Sequence, residues 1–116
     1  MVRLDAHYLP FKDQSVDSVI IHAVLEHVFD PIRVMNEVYR ILKPGGKALG
    51  YVPFLYPYHS KIDCWRFTKD SLCYIMRDFT SLTLQPVDTY LGTIMRFAFF
   101  FKIRYRGFNI LGKVIE

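Results

Sequence analysis

The sequence predicts an α/β fold, because a strand, a helix and a second strand follow one another within about forty residues. The first strand is Val16–His22, whose apolar run is typical of a strand covered on both faces. The second strand is Lys47–Val52, which follows Gly45 and Gly46 directly. Elements in this order pack as a right-handed crossover between two parallel strands.

The helix between the two strands has recognisable signals at both ends. Asp30 suits the N-cap position, and Pro31 suits the first helical position. Apolar side chains then recur at helical spacing, at Ile32, Met35, Val38, Tyr39 and Leu42. Pro44, Gly45 and Gly46 end the helix, and a glycine there supplies the left-handed residue that closes the last turn.

The chain after the second strand is less regular. Phe54–His59 is an aromatic, proline-containing loop at the carboxyl end of that strand, where open α/β sheets bind their ligands. A helix that begins at Thr68 or the next residue extends through Phe79. Leu82–Gln85 alternates as a strand should, whereas Phe97–Phe101 fits a buried strand or a short helix equally well.

Length and composition favour one globular domain over residues 1–116. The chain has 116 residues, of which 52% are hydrophobic, which is enough for one core. Cys64 and Cys73 form no CxxC pair, which disfavours a zinc ribbon or a disulfide scaffold and favours a reducing cytoplasm. The first residues resemble no signal peptide, and charged residues interrupt the apolar stretch near Phe97. We therefore expect a cytoplasmic protein without a membrane-spanning helix.

The positive charge is concentrated in residues 89–116, which we call the basic aromatic segment. Residues 1–88 carry ten basic and ten acidic side chains, so the net charge of +4 comes from the remainder. The segment combines five basic residues with aromatic ones, at Arg96, Phe97, Phe99, Phe100, Phe101, Lys102, Arg104, Tyr105, Arg106, Phe108 and Lys113. A final β-hairpin with an aromatic inner face, a peripheral membrane contact and a nucleic-acid contact all remain open. The hairpin is favoured, and nucleic acid is unlikely.

Several linked motifs occupy Asp5 to about Val52. They are Asp5-Ala6, Leu9-Pro10-Phe11, Asp13, Ser15, Asp17, Val19, Leu25-Glu26-His27-Val28, Asp30-Pro31, Glu37 and Arg40-Ile41-Leu42-Lys43-Pro44-Gly45-Gly46. Together they resemble the class I S-adenosylmethionine-dependent methyltransferases, and His59–Thr68 resembles a loop in a bacterial branch of that family. The resemblance implies S-adenosylmethionine as cofactor and a small-molecule or lipid-linked methyl acceptor.

The resemblance also implies where the cofactor binds. Asp5 would accept a hydrogen bond from the exocyclic amine of adenine, and Ala6 would leave room for the ring. His22 and Ala23, after the first predicted strand, would border the methionine end of the cofactor. These four residues are the cofactor-binding residues that we predict from the resemblance.

The acceptor side is implied by the same resemblance. Glu26, Asp63 and Arg66 would contact the substrate at the edge where the strands end. Methyl transfer is an in-line displacement that depends on alignment, and a base removes a proton when the acceptor is a hydroxyl group. His27 and His59 are the candidate catalytic bases. No HxH or HExxH spacing links the histidines, so the sequence predicts no metal site.

The sequence also departs from the family pattern. The glycine-rich turn after the family's first strand and the acid that holds the ribose would both lie upstream of Asp5, where only four residues are present. The resemblance therefore implies a partial Rossmann-like methyltransferase fold, truncated to the C-terminal part of the sheet with flanking helices, and an incomplete cofactor site. Two functions stay open: methyl transfer, and a non-catalytic interaction or membrane-surface module derived from a methyltransferase.

Strand order implies a further consequence. In the family, the strand equivalent to Val16–His22 lies beside the first strand. Without the first strand, Val16–His22 would have one unpaired edge. Unpaired edges tend to pair with another chain. We therefore expect self-association through Val16–His22, or instability of the chain in isolation.

Overall fold

The computed structural model describes residues 3–87 and 89–105. In chain order the elements are strand β1 (Val16–His22), a 3₁₀ turn (Leu25–His27), helix α1 (Pro31–Ile41), strand β2 (Leu42–Tyr51), helix α2 (Lys69–Ile75) and helix α3 (Tyr90–Tyr105). The two strands are parallel neighbours, and α1 lies between them in the chain. The predicted α/β fold is confirmed.

The two strands pair along most of their length. Pairing starts with Val16 opposite Leu42 and, after a bulge, resumes with Ser18 opposite Lys47. It then continues to the last residue of each strand. β1 has the predicted bounds, whereas β2 begins at Leu42 rather than Lys47, because Leu42 already pairs ahead of the bulge.

Two glycines allow the chain to return from α1 against β1. Gly45 has a φ of +78°, the left-handed conformation predicted for this turn. A Cβ atom on Gly46 would lie 2.8 Å from the Lys43 carbonyl oxygen and 3.1 Å from the Asp17 carbonyl oxygen. The close approach of these backbones therefore requires a residue without a side chain.

Helix α1 begins as predicted and supplies much of the core. The Asp30 carboxylate accepts a hydrogen bond from the Arg33 backbone N–H (3.0 Å), and Pro31 occupies the first helical position. The buried core cluster comprises Ile21, Leu25, Val28, Val34, Met35, Val38, Leu42, Phe67 and Ile75. Apolar burial therefore joins α1 to β1, to α2 and to the residues just before α2.

Arg40, in the last turn of α1, holds the segment that precedes β1. Its guanidinium donates to the carboxylates of Glu37 (2.8 Å) and Asp13 (2.6 Å). It also donates to the carbonyl oxygens of Leu9 and Phe11, each at 2.9 Å. The hydrogen bond with Arg40 lowers the pKa of Glu37, and hydrogen bonds with the two carboxylates raise the pKa of Arg40. These hydrogen bonds hold the segment that precedes β1 against α1.

Helix α2 begins where predicted but is shorter. The Thr68 hydroxyl accepts a hydrogen bond from the Ser71 backbone N–H (3.2 Å), which caps the helix. The helix ends at Ile75 rather than at the predicted Phe79, and the chain turns over residues 76–80. The turn brings the Phe79 ring edge-on to the Tyr39 ring of α1, with centroids 5.3 Å apart. Packing against α1 therefore replaces the last predicted helical turn.

In the second half of the chain one strand prediction is wrong, and one choice that the sequence left open is decided. Leu82–Gln85 has no regular structure, because no strand edge within the described residues pairs with it. Phe97–Phe101 lies inside α3, so the helical alternative is correct and the described part of the basic aromatic segment forms no β-hairpin. Alternation over four residues predicts a strand only where a partner edge is available.

The chain divides into two compact units, residues 1–84 and 85–116, and the boundary lies close to the start of the basic aromatic segment. Within the second unit, large apolar side chains of α3 are exposed, at Leu91, Ile94, Met95 and Phe99. Among the described residues no helix is both long enough and apolar enough to cross a membrane. The predictions for Arg106, Phe108 and Lys113 fall outside the described residues.

Candidate active site

The carboxyl ends of β1 and β2 form one side of the candidate site. The His22 ring stacks on the Tyr51 ring with centroids 5.3 Å apart. The next residue, Ala23, donates its backbone N–H to the Tyr51 carbonyl oxygen (3.0 Å) and has a φ of +51°. A left-handed conformation costs energy in a residue with a side chain, and such residues cluster at functional sites.

The aromatic loop and the residues after it are tied to the chain that follows β1. The backbone N–H of Cys64 donates to the Glu26 carbonyl oxygen (2.7 Å), and the Trp65 indole N–H donates to the Val28 carbonyl oxygen (2.8 Å). These bonds return the loop over the strand ends. They bring together side chains that are more than thirty residues apart, as the His27 to His59 contact shows.

Asp63 and Arg66 form the internal brace of this loop. The Asp63 side chain has no exposed surface and accepts two hydrogen bonds from the Arg66 guanidinium, at 2.5 and 2.9 Å. It also accepts the His59 backbone N–H at 3.1 Å. Hydrogen bonding to Arg66 holds the pKa of Asp63 well below its usual range, and the same pairing raises the pKa of Arg66.

The remaining N–H groups of Arg66 also bond within the loop. They donate to the carbonyl oxygens of Tyr56 (2.9 Å), Pro57 (3.2 Å) and Trp65 (2.7 Å). All five guanidinium donors are therefore used inside the loop. These contacts support a positioning role for Asp63 and Arg66, and their predicted contact with substrate stays a prediction.

A cluster of three side chains lies next to the Asp63–Arg66 pair. Its members are Glu26, His27 and His59. The two imidazole Nε2 atoms are 3.3 Å apart, and the ring centroids are 4.9 Å apart. The nearer Glu26 carboxylate oxygen, Oε1, is 3.9 Å from His27 Nε2, and the Glu26 side chain is only 3% exposed. The structure thus brings both candidate bases and one predicted substrate residue together.

Asp5 lies beside the beginning of α1, which is the helix end nearest the carboxyl edge of β1. One Asp5 carboxylate oxygen accepts hydrogen bonds from the His7 backbone N–H (2.9 Å) and from His7 Nδ1 (2.7 Å). The His7 Nε2 atom accepts the Asp30 backbone N–H (3.3 Å), and the His7 carbonyl oxygen accepts from Arg33 (3.1 Å). These bonds with His7 lower the pKa of Asp5. His7 is a site residue that the sequence motifs did not predict, although it follows Asp5 by two residues.

An apolar cleft of about 260 Å³ lies beside Asp30 and Arg66, which both line it. Its lining includes Phe29, Ile32, Trp65, Phe67, Tyr74 and Ile75. Phe29 and Tyr74 are largely exposed there, although burial in a core would be usual for rings of this size. Neither ring could be predicted from the sequence, because nothing in their spacing shows that they face one cleft.

The comparisons with known proteins agree with this fold. Residues 1–50 match the family model described as a methyltransferase domain. An uncharacterised methyltransferase of Mycobacterium sp. strain KMS is 47% identical over 58 residues, which are 49% of this chain and 23% of that protein. A demethylmenaquinone methyltransferase of Lactobacillus johnsonii is 51% identical over 44 residues, which are 38% of this chain and 18% of that protein.

A solved structure, titled as the [4+2]-cyclase SpnF, aligns with a TM-score of 0.51 and 25% identity. The alignment covers 65% of this chain and 29% of that one. These findings confirm the resemblance to class I S-adenosylmethionine-dependent methyltransferases and the partial Rossmann-like fold that it implies. The segment matched in the mycobacterial relative is about a quarter of its length, at 23%.

Proposed function

We propose that the protein takes part in transferring a methyl group from S-adenosylmethionine to a small-molecule or lipid-linked acceptor with an apolar portion. The observation that carries the proposal is the meeting of His27 and His59 at the edge where the strands end, within 3.3 Å. Residues 1–50, which include His27 but not His59, are those that match the methyltransferase domain. Ligands of open α/β sheets bind at this edge.

The residues on the cofactor side fit the group that the family implies. Asp5 is exposed and, although His7 occupies one of its oxygens, a carboxylate has further lone pairs for the adenine amine. Ala6 and Ala23 are small and leave room beside the cofactor, with His22 at its methionine end. The bound cofactor supplies an electrophilic methyl group on a sulfonium sulfur.

The residues on the acceptor side orient the acceptor and keep the loop in place. The apolar cleft would hold the acceptor's apolar part between Phe29, Trp65 and Tyr74. The brace formed by Asp63 and Arg66 keeps the His59 ring against His27. As a free imidazole, either histidine offers Nε2 to a proton that leaves a hydroxyl acceptor. The Lactobacillus johnsonii relative is named for demethylmenaquinone, which supports an apolar acceptor.

A second candidate is a non-catalytic module that keeps the fold and binds a membrane surface. The observation that favours it is the exposed apolar side of α3, within a segment whose charge is predominantly positive. The solved structure that resembles this chain is titled as a cyclase, and one fold supports several reactions. The site residues therefore have to be tested directly.

The test is titration of the ¹⁵N-labelled chain with S-adenosylhomocysteine, followed by amide chemical shifts. We expect shifts at Asp5, Ala6, His22 and Ala23, and a dissociation constant raised about tenfold or more in Asp5→Asn, because a hydrogen bond to a charged group is lost. Asp17→Asn is the matched control, since Asp17 lies at the opposite end of β1 and is exposed. Absence of shifts at these residues, or equal weakening by both variants, would contradict the proposed cofactor site.

A further inference from the structure

We propose that Glu26, His27 and His59 bind one zinc ion. One nitrogen or oxygen atom from each side chain lies within 4.8 Å of the corresponding atoms of the other two. Two imidazoles and one carboxylate are a known ligand set for zinc sites that keep an open position. The proposal concerns metal binding and is tested without the methyl-transfer reaction, although bound zinc would replace the base role proposed above for the two histidines.

The Nδ1 contacts of the two imidazoles indicate that, in neutral rings, both Nε2 atoms are acceptors. His27 Nδ1 lies 2.5 Å from the Ile62 carbonyl oxygen, and His59 Nδ1 lies 3.2 Å from both the Pro57 carbonyl oxygen and the Asp63 carboxylate. Because carbonyl and carboxylate oxygens only accept, each Nδ1 carries the hydrogen. In two neutral rings, both Nε2 lone pairs would then face each other at 3.3 Å.

Two facing lone pairs repel each other unless a proton or a metal cation lies between them. Two nitrogens that are each about 2.0–2.1 Å from a tetrahedral zinc ion lie roughly 3.3–3.4 Å apart. The observed separation of the two Nε2 atoms is 3.3 Å. The pair therefore already has the spacing that a tetrahedral ion requires.

Glu26 supplies the third ligand and the negative charge. Its side chain is 3% exposed, and within the described residues its Oε2 atom has no hydrogen-bond partner. A buried carboxylate oxygen without a partner is costly. Arg66, whose charge also acts on Glu26, already uses its donors in the loop. Oε1 is 3.9 Å from His27 Nε2, so a shift of about half an ångström would bring these two atoms to the spacing of two ligands on one zinc ion.

The surroundings of the cluster resemble the second layer of a metal site. Histidine ligands of zinc usually donate their other ring N–H to a carbonyl or carboxylate oxygen, as both rings do here. Three protein ligands leave a fourth position open, which suits an oxygen atom of a small acceptor. With zinc bound, neither Nε2 accepts a proton, so the ion would hold the acceptor oxygen in place of that step.

The experiment uses the untagged full chain, freed of metal with a chelator and titrated with Zn²⁺ by calorimetry and with Co²⁺ by visible absorption. We expect one ion per chain, a tetrahedral Co²⁺ spectrum and a rise in melting temperature with Zn²⁺. His59→Gln and Glu26→Gln should each weaken Zn²⁺ binding at least about tenfold. His22→Gln is the matched control, because His22 stacks on Tyr51 outside the cluster, and its Zn²⁺ affinity should be unchanged.

Failure to take up Zn²⁺ or Co²⁺ would overturn the proposal and leave a shared proton between the two rings. Unaltered binding in His59→Gln, or equal weakening in His22→Gln, would also overturn it. Circular dichroism verifies that each variant is folded, and His59→Gln, in the loop, keeps the test valid if Glu26→Gln unfolds. Because no cofactor is added, the result is independent of S-adenosylhomocysteine binding.

Discussion

At the scale of single residues, the Asp63 side chain combines complete burial with a bidentate bond to Arg66. Its pKa is lowered mainly by that bond, so the ionised form stabilises the folded state. This stabilisation is fully present above the ordinary aspartate pKa of about 3.9 and is lost as the pH falls below it. We expect Asp63→Asn to lower the free energy of unfolding by about 1–3 kcal/mol at neutral pH.

The expected loss should shrink as the pH falls below about 4, because the wild-type carboxylate is then protonated in the unfolded chain. Thermal unfolding of both proteins across the acid range measures this difference. Asp17→Asn is the control, since Asp17 pairs with Lys43 on the surface with 84% of its side chain exposed. The loss of unfolding free energy in Asp17→Asn should stay below about 1 kcal/mol. Equal losses in the two variants at every pH would contradict the role assigned to Asp63.

At the scale of elements, α3 exposes Leu91, Ile94, Met95 and Phe99. Arg96 is also exposed, and the segment containing the helix carries five basic side chains against one acidic one. Apolar contact combined with attraction to anionic lipids is how interfacial helices bind. We expect the chain to sediment with anionic vesicles more than with neutral ones.

The variant Leu91→Ser should reduce this sedimentation several-fold, because Leu91 is 67% exposed on α3. The matched variant Leu55→Ser, on a loop of the first unit where Leu55 is 51% exposed, should leave it unchanged. Equal sedimentation with both kinds of vesicle, or equal effects of the two variants, would argue against a membrane-surface role.

At the scale of the whole molecule, the sheet itself has open edges. Among the described residues, β1 pairs only with β2, and the sheet has only these two strands. Ile20 and Leu49, which are neighbours in the parallel register, are 76% and 69% exposed. Open strand edges and exposed apolar side chains favour association between copies. We expect the weight-average mass measured by light scattering to rise with protein concentration.

The variant Ile20→Lys should shift this equilibrium toward the monomer, because a charge on the strand disfavours pairing. Val87→Lys is the control, since Val87 is 77% exposed outside the sheet. A monomer at every concentration would rule out self-association through β1.

Much of the first half of the fold could be predicted because its signals are local. Asp30 and Pro31 mark the beginning of α1, and Gly45 marks the turn after it. The helical content of Phe97–Phe101 could not be decided, because a short aromatic run has no distinguishing period. The strand predicted at Leu82–Gln85 failed because a strand also needs a partner edge, which its own residues do not specify.

The sequence by itself determined β1, α1 and the return to β2, and the motifs before Val52 indicated the resemblance to methyltransferases. Caps, glycines and apolar spacing act over a few residues, so they can be recognised without the fold. Only the tertiary structure decided that His59 meets His27, and that Asp63 is buried under Arg66 instead of facing solvent. Those contacts depend on how a loop closes over the strand ends, and loop closure is set by backbone hydrogen bonds between distant residues.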